Sequence, residues 1–249
     1  MIKVHFLGTN GWYPSRTGHT TCHLIDAPEA YIILDAGTGI YKVDKFITED
    51  KPIYLFMSHL HFDHVFGLHI LNRFSFKQGL KVVTHRQNYK DLLHIFGQPY
   101  TVSPEDLPYD VTVSSIAEGE SQLFPFELTC LKQVHISPCY GYRFGFKEGT
   151  IAYCTDTGKC NAVKELAKDA DLLIAECALL PGETNRKWPH MNPTDSANCA
   201  LEANCKKLAV IHYDAEKYPS MDIREKGFAE TLKVFPNSFM AIDDSELTL

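Results

Sequence analysis

A dense group of metal-binding side chains follows the apolar run Ile53–Met57, in the segment S-H-L-H-F-D-H. The apolar run predicts a β-strand. Spacing by two residues lets His59 and His61 project together, whereas Asp63 and His64 begin the next predicted helix. Imidazole nitrogens and carboxylate oxygens are common ligands of Zn²⁺ and related divalent cations. The segment therefore predicts a metal centre, in preference to a polar turn with solvated histidines.

The spacing H-x-H-x-D-H after a strand resembles the signature of the metallo-β-lactamase superfamily. Further landmarks follow in the order that this superfamily uses, each at the end of a predicted strand: His135, Asp156 and His212. The run Leu34-Asp35-Ala36-Gly37 is similar to the superfamily's early Asp-Gly motif. Because the resemblance extends from the first predicted strand nearly to the last, it implies the superfamily's fold for almost the whole chain.

The resemblance also implies a ligand set for two divalent cations. One metal would be held by His59, His61 and His135, a second by Asp63, His64 and His212, with Asp156 bridging the two. Asp35 is expected behind these ligands, hydrogen-bonded to the far nitrogen of a ligating histidine. The alternative for Asp35 is a turn-forming role beside Gly37. Nitrogen and oxygen donors suit Zn²⁺ best and also accept Mn²⁺ or Fe²⁺.

A histidine and a glutamate in the second half of the chain narrow the resemblance. His190 lies in K-W-P-H-M-N-P-T, and Glu176 ends an apolar predicted strand. Together they resemble the branch that contains ribonuclease Z and related small phosphodiesterases, in which an acid-paired histidine faces the scissile phosphate. The resemblance implies that Glu176 orients His190, which would stabilise the phosphorane-like oxygens or protonate the leaving group. A surface histidine in a Pro-bounded loop is the competing interpretation. With Asp63, these two residues are the candidate catalytic residues.

Two cations close together can share a water, lower its pKa and stabilise a leaving oxygen. The leading functional hypothesis is therefore hydrolysis of a small, possibly cyclic, phosphodiester by a hydroxide bound to the metal pair. Ribonuclease Z-type cleavage of transfer RNA is the runner-up, because ribonuclease Z carries an extended arm and no long insertion is found between Asn72 and Thr129. Hydrolysis of a carboxylic ester, thioester or lactam, and a metal-dependent sensor without turnover, also remain open. An iron redox protein ranks last, because the sequence carries no flavin-binding extension.

Composition restricts the partners. The chain has 249 residues, a formal charge of -7, and 45% hydrophobic and 22% charged residues, as expected for one α/β domain over residues 1–249. The negative charge and the absence of a Lys/Arg cluster argue against broad, non-specific affinity for nucleic acid, and a small-molecule substrate is expected. The aromatic loop with Trp12, Tyr13 and Arg16 could line the site or pack at the sandwich edge. A homodimer is an expectation from the resemblance alone.

The cysteine pattern, the length of the apolar stretches and the first residues predict a location in the cytoplasm. The eight cysteines are scattered without a C-x-x-C pair, which favours reduced, buried thiols. No apolar stretch is long enough for a membrane span, and the first residues, M-I-K-V-H-F-L-G, are typical of a strand and not of a signal peptide.

Alternating segments of strand and helix patterns set the predicted architecture. Helices are predicted over Asp63–Asn72, Asn88–Phe96, Asn161–Lys168, Pro193–Cys205 and Ile223–Val234. Strands are predicted over Ile2–Leu7, Cys22–Asp26, Tyr31–Asp35, Ile53–Ser58, Lys81–Thr84, Val111–Ile116, Phe126–Gln133, Tyr140–Phe146, Thr150–Thr155, Leu172–Glu176, Leu208–His212 and Phe239–Asp243. Many strands have an antiparallel pattern. The expected fold is an α/β, four-layer αββα sandwich, with two mixed sheets packed face to face and helices outside.

Overall fold

A computed structural model describes residues 1–118 and 124–249. In these residues the strands are β1 (Lys3–Gly8), β2 (Asn10–Gly11), β3 (Cys22–Asp26), β4 (Tyr31–Leu34), β5 (Ile53–Met57), β6 (Leu80–His85), β7 (Val111–Ile116), β8 (Glu127–Lys132), β9 (Tyr140–Gly145), β10 (Thr150–Cys154), β11 (Leu172–Glu176), β12 (Leu208–Ile211), β13 (Tyr213–Asp214), β14 (Ser238–Met240) and β15 (Ser245–Thr248). The α-helices are α1 (Phe62–Val65), α2 (Tyr89–Ile95), α3 (Asn161–Ala167), α4 (Pro193–Glu202) and α5 (Met221–Val234). Three 3₁₀ helices cover Thr38–Lys45, Phe66–Arg73 and Pro104–Asp106.

Two mixed sheets form the centre of the fold. The first has the strand order β15-β1-β3-β4-β5-β6-β7, and the second has the order β14-β12-β11-β10-β9-β8. Each sheet is antiparallel on one side and parallel on the other, with the change at β4 in the first and at β10 in the second. The expected antiparallel pattern therefore holds for only part of each sheet. Parallel pairing requires crossovers, and most helices lie in these connections.

The side chains of single strands show how the layers are built. In β4, Ile32 and Leu34 face the core between the sheets, whereas Tyr31 and Ile33 face the outer layer. A strand buried on both faces has a continuous apolar sequence, as β4 and β5 have and as β11 has up to Glu176. Between the sheets, Phe56 and Phe144 meet edge to face with ring centroids 5.1 Å apart.

The outer layers complete the sandwich. The two early 3₁₀ helices and α2 pack on the first sheet, and α3, α4 and α5 pack on the second. The four-layer αββα sandwich expected from the sequence is confirmed. All eight cysteines are free, as expected, and seven of them are buried. Within the described residues, no helix is long and apolar enough to cross a lipid bilayer.

The predicted helix over Asp63–Asn72 is only partly α-helical. The chain forms one α turn and then continues as a 3₁₀ helix. Tertiary hydrogen bonds explain the change, because the His64 carbonyl accepts from the Ala36 amide at 2.7 Å and the Gly67 amide donates to the Ala36 carbonyl at 2.7 Å. These backbone groups are withdrawn from a regular helical ladder. The short strands β2, β13 and β15 and the 3₁₀ helix Thr38–Lys45 were not predicted, and β14 ends before Asp243.

The start of α4 is fixed by a capping box. The Asn192 side chain accepts a hydrogen bond from the Asp195 amide at 3.0 Å, and the Asp195 carboxylate accepts from the Asn192 amide at 3.4 Å. Pro193 occupies the first turn, where it has no amide to satisfy. The cap places Met191 and His190 at a defined point in front of the helix.

Removing this cap should destabilise the protein. We expect Asn192→Ala to lower the free energy of unfolding by about 1 kcal/mol, because an amide at the helix start loses its acceptor. Chemical denaturation at constant metal concentration measures the change. Asn192→Ser is the matched control, since it keeps a capping oxygen but, like Ala, loses the bond from Asn192 Nδ2 to the Glu183 carbonyl. Equal losses in the two variants would show that the cap contributes nothing.

Candidate metal centre and active site

The seven candidate ligands come from distant parts of the sequence and meet at one edge of the sandwich. They occupy the loops and turns that follow β5, β8, β10 and β12, together with α1. Their ligand atoms form two clusters, each within 4.8 Å: His59, His61, His135 and Asp156 in the first, and Asp63, His64, Asp156 and His212 in the second. All seven residues named from the sequence are thus brought together.

Asp156 belongs to both clusters. Its Oδ2 lies 3.6 Å from Nε2 of His59, whereas its Oδ1 lies 3.1 Å from Nε2 of His64 and 3.0 Å from Nε2 of His212. Asp63 closes the second cluster, with Oδ2 at 3.3 Å from Nε2 of His212. One carboxylate therefore presents a separate oxygen to each group of imidazoles, which is the arrangement that a bridging ligand needs.

Asp35 lies behind the clusters and contacts a candidate ligand directly. Its Oδ2 accepts from Nδ1 of His64 at 2.9 Å, from the Ser58 hydroxyl at 2.7 Å and from the Tyr153 hydroxyl at 2.6 Å. Its Oδ1 accepts from the Ser58 amide at 2.7 Å. A fully buried carboxylate with four donors fixes the ring of His64, so that Nε2 faces the cluster.

The same contacts define the tautomer of His59. The Ser58 hydroxyl donates to Asp35, so it can only accept from Nδ1 of His59, which lies 3.0 Å away. Nε2 of His59 then carries a lone pair; it is buried and has no hydrogen-bond partner among the described residues. Burial, followed by the charge of His64, holds the pKa of His59 well below its usual value. A buried, neutral imidazole nitrogen with no partner is ready to bind a cation.

The other imidazoles divide into two electrostatic types. Burial lowers the pKa of His61, and it lowers the pKa of His135 to about 4. Burial also disfavours the charged form of His64, but Asp156, Asp63 and Asp35 outweigh it and hold the pKa of His64 well above its usual value. The second cluster thus has the greater negative charge. Its carboxylates attract positive charge, which protons or a divalent cation can supply.

The donor set fits divalent cations. Both clusters combine imidazole nitrogens with carboxylate oxygens, and no cysteine takes part in either of them within the described residues. Without thiolate, the ligand chemistry accepts Zn²⁺, Mn²⁺ or Fe²⁺. The orphaned nitrogen of His59 and the shared carboxylate of Asp156 both point to a bound cation.

His190 and Glu176 form a buried pair beside the clusters. Nδ1 of His190 donates to Oε1 of Glu176 at 2.6 Å. Glu176 is fully buried, and its carboxylate also accepts from the amides of Thr157, Ala178 and Met191. Burial disfavours the charged imidazole, but the charge of Glu176 and this hydrogen bond outweigh burial and raise the pKa of His190 to about 9. Cations at the neighbouring clusters would act in the opposite direction.

A cavity of about 610 Å³ connects the clusters to the exterior. Two exposed indoles form parts of its wall. Trp188 stacks on His61 with a centroid distance of 5.8 Å and an angle of 16°, and the Trp12 amide donates to Oδ2 of Asp63 at 2.7 Å. The wall comprises Gly11, Trp12, His61, Phe62, Asp63, Asp156, Ala178, Leu179, Asn185, Trp188, His190, His212, Asp214 and Lys217.

The structure separates the residues of the early aromatic loop. Trp12 lines the cavity, whereas Tyr13 is absent from its wall and Arg16 donates from Nε to the Pro219 carbonyl at 2.9 Å. Sequence reasoning did not assign Trp188, although it singled out the surrounding segment, and it missed Asn185 and Lys217. Trp188 could have been recognised from the sequence, because it is an aromatic residue in a predicted loop, two residues before His190. No local signal marks the other two, which enter the site only through the fold.

The fold and the two donor clusters define a class, that of the metallo-hydrolases. Residues 30–213 match the family profile of the beta-lactamase superfamily domain, and the chain therefore belongs to the metallo-β-lactamase superfamily. It is 26% identical over 216 residues to the probable metallo-hydrolase YhfI of Bacillus subtilis (strain 168), covering 85% of this chain and 86% of that protein. It is 27% identical over 303 aligned positions to ribonuclease Z of Metallosphaera sedula, covering 100% and 99% of the two chains.

Solved structures share the fold. The crystal structure of YhfI from Bacillus subtilis superposes with a TM-score of 0.83 at 20% identity, covering 99% of this chain and 98% of that one. The short form of human tRNase Z gives 0.75 at 19% identity, with the same coverage. A diphosphatase from the PhnP family gives 0.74 at 17% identity, covering 100% and 98%. These structures agree in fold with the family match and the curated relatives, which make the chain a metallo-hydrolase of this superfamily, related to ribonuclease Z.

Replacing Asp35 should weaken metal binding. In Asp35→Asn, an amide replaces the carboxylate that orients His64, and we expect the affinity for Zn²⁺ or Mn²⁺ to fall about 10- to 100-fold. Equilibrium dialysis with metal quantification measures the affinity. Asp26→Asn is the control, because Asp26 belongs to the same sheet but pairs with Lys51 away from the clusters. Unchanged affinity in folded Asp35→Asn would contradict the role given to Asp35.

Proposed function

We propose that this protein is a phosphodiesterase that hydrolyses a small, possibly cyclic, phosphodiester at two divalent cations. The observation that carries the proposal is the 2.6 Å pair of His190 and Glu176 in the wall of the cavity that contains both donor clusters. The same cations would be enough to activate a carbonyl substrate, which would not require an additional positively charged group at the position of His190. A phosphodiester develops negative charge on several oxygens, and a protonated imidazole can stabilise it.

The ligands are proposed as follows. His59, His61 and His135 would hold one cation, Asp63, His64 and His212 the other, and Asp156 both. Zn²⁺ is the first choice for this donor set, with Mn²⁺ and Fe²⁺ as alternatives. The bound cations would supply Lewis acidity and a water of lowered pKa.

His190 is proposed as the general acid. Since Nδ1 is engaged by Glu176, Nε2 is the ring nitrogen that remains for the substrate. It would donate a proton to the ester oxygen as the P–O bond breaks. Glu176 would keep the imidazole charged and fix its orientation, since three backbone amides hold its own carboxylate in place. Asp63, held by the Trp12 amide, would complete the catalytic set as a ligand.

The cavity supports a small substrate. Its volume of about 610 Å³ is within the usual range for small-molecule sites. Trp12 and Trp188 are 60% and 47% exposed, so their faces are accessible to a planar group of the substrate. Lys217 is the single Lys or Arg in the described wall, and its Nζ is already paired with Glu183 at 2.5 Å. A long polyanion would find little compensating charge here.

Similarity to ribonuclease Z favours transfer RNA 3′ processing as a second candidate. The alignment with the Metallosphaera sedula enzyme covers this chain completely. It spans 303 positions, however, whereas this chain has 249 residues, so that enzyme contains residues with no counterpart here. Together with the net charge of -7, this supports the small substrate over transfer RNA.

The first experiment compares three substrates. We expect metal-loaded protein to hydrolyse bis(p-nitrophenyl) phosphate in preference to a p-nitrophenyl carboxylic ester and a precursor transfer RNA, with activity lost on chelation and restored by Zn²⁺ or Mn²⁺. Release of p-nitrophenolate and gel analysis of the RNA measure the rates. Preferential ester hydrolysis would instead assign carbonyl chemistry, and efficient cleavage of the RNA would assign ribonuclease Z activity. Full metal occupancy without any turnover would favour a sensor.

The general-acid role can be tested through the leaving group. p-Nitrophenolate departs without a proton, whereas the alkoxide released from a cyclic nucleotide needs one. We expect His190→Ala to lower kcat on a cyclic nucleotide by about 10²- to 10⁴-fold and to have a smaller effect on bis(p-nitrophenyl) phosphate. Metal content should stay unchanged. His94→Ala, at an exposed histidine of α2, is the control. Equal losses on both substrates would rule out proton donation by His190.

A further inference from the structure

Arg224 is a fully buried cation in α5 that forms no ion pair within the described residues, although the charge of Asp243 acts on it from a greater distance. None of the ion pairs among the described residues includes it, and its guanidinium carbon lies 4.8 Å from the centre of the Tyr213 ring. Its Nε is buried without a hydrogen-bond partner in the part of the chain that is described. Burying an unpaired guanidinium is unfavourable, so its hydrogen bonds must serve a purpose that an apolar side chain could not.

Those hydrogen bonds all reach one segment. Nη1 donates to the Thr9 hydroxyl at 3.2 Å, and Nη2 donates to the Thr17 hydroxyl at 3.0 Å and to Oδ1 of Asn10. The three acceptors lie at the two ends of the loop Thr9–Thr17. Arg224 therefore ties both ends of this loop to the same helix.

Asn10 carries the connection into the loop. While its Oδ1 accepts from Arg224, its Nδ2 donates to the Tyr13 carbonyl at 3.2 Å and to the Ser15 hydroxyl at 3.0 Å. The side-chain amide of Asn10 is therefore hydrogen-bonded both to the helix, through its oxygen, and to the loop, through its nitrogen. A rotation of Asn10 would break the contacts on the loop and on the helix together.

The backbone of the loop Thr9–Thr17 also contacts the second donor cluster. The Trp12 amide donates to Oδ2 of Asp63 at 2.7 Å. Gly11 lies directly against His212, since a Cβ at this glycine would be 2.5 Å from Cε1 of the ring. The pairing of β2 with β13 sets Gly11 beside Asp214, and the Tyr213 amide donates to the Thr9 carbonyl at 3.1 Å.

We propose that Arg224 is a positioning residue for the second cluster, acting through the loop Thr9–Thr17 on Asp63 and His212. Among the described residues, His59, His61 and His135 of the first cluster receive no hydrogen bond, ion pair or ring contact from this loop. The consequence is selective: loss of the guanidinium should weaken the binding of one cation and leave the other unchanged. The inference rests on the proposed ligand assignment but does not depend on the substrate.

The experiment measures Zn²⁺ binding by equilibrium dialysis in the full chain, comparing wild type with Arg224→Met and Arg224→Lys. Met is chosen because it fills the space without a charge. Arg143→Met is the control, because Arg143 also donates to main-chain carbonyls, those of Leu166 and Lys168 at the end of α3, but lies away from the loop. We expect two equivalents in wild type, with one weakened about tenfold or more in Arg224→Met. Arg224→Lys should be intermediate, since one ammonium cannot reach all three acceptors.

The possible results distinguish a failure of the role of Arg224 from a failure of the ligand assignment. If wild type binds fewer than two equivalents, the ligand assignment fails, and this proposal fails with it. If wild type binds two and folded Arg224→Met binds both unchanged, only the role of Arg224 is overturned. An equal loss of both cations would indicate general destabilisation and also overturn it. Should Arg224→Met not fold, Thr17→Val decides, because it removes one of the three acceptors, leaves Arg224 in place and should weaken the same single equivalent.

Discussion

One three-residue turn after β10, formed by Thr155, Asp156 and Thr157, connects the two donor clusters with the pair of His190 and Glu176. Asp156 presents one oxygen to each donor cluster, and the Thr155 hydroxyl donates to Oδ1 of Asp156 at 2.8 Å. The next amide, that of Thr157, donates to Oε1 of Glu176 at 2.6 Å. The same short turn therefore sets the separation of the two clusters and the position of the pair that faces them. A shift of this turn would change contacts in both clusters and in this pair.

The buried carboxylates differ in what compensates their charge. Asp35 has four hydrogen-bond donors, and Glu176 has three backbone amides and the His190 imidazole. Asp156, in contrast, accepts one hydroxyl, and the imidazoles of His59, His64 and His212 lie 3.0–3.6 Å from its carboxylate oxygens. A buried carboxylate with so few fixed donors requires positive charge nearby. This difference explains why Asp156 is suited to bridge cations, while Asp35 and Glu176 are suited to orient histidines.

The sequence predicted what depends on local spacing and on strand burial. The motif around His59 is local, and strands such as β5 and β11 are buried on both faces, so their apolar runs were recognisable. His135, Asp156 and His212 could be assigned only by resemblance, since each is a single polar residue at a strand end. The wall residues Asn185 and Lys217 enter the site through long-range packing. The helix type after Asp63 depended on hydrogen bonds to Ala36, which lies far away in sequence.

Several site residues have backbone conformations that only the surrounding contacts can maintain. Seven non-glycine residues have positive φ within the described chain, and four of them, Trp12, Asp35, Asp156 and His212, belong to the site. Asp tolerates this region because its short side chain can hydrogen-bond locally, whereas a bulky Trp does not. Such conformations cost roughly 1–3 kcal/mol each and persist only where surrounding contacts determine them. Trp12 and His212 lie next to the paired strands β2 and β13, and the buried Arg224 holds the adjoining loop. The hydrogen bonds of the buried Arg224 and the positive φ angles of Trp12 and His212 therefore meet in one stretch of backbone, which supports the proposal that the guanidinium holds this stretch in place.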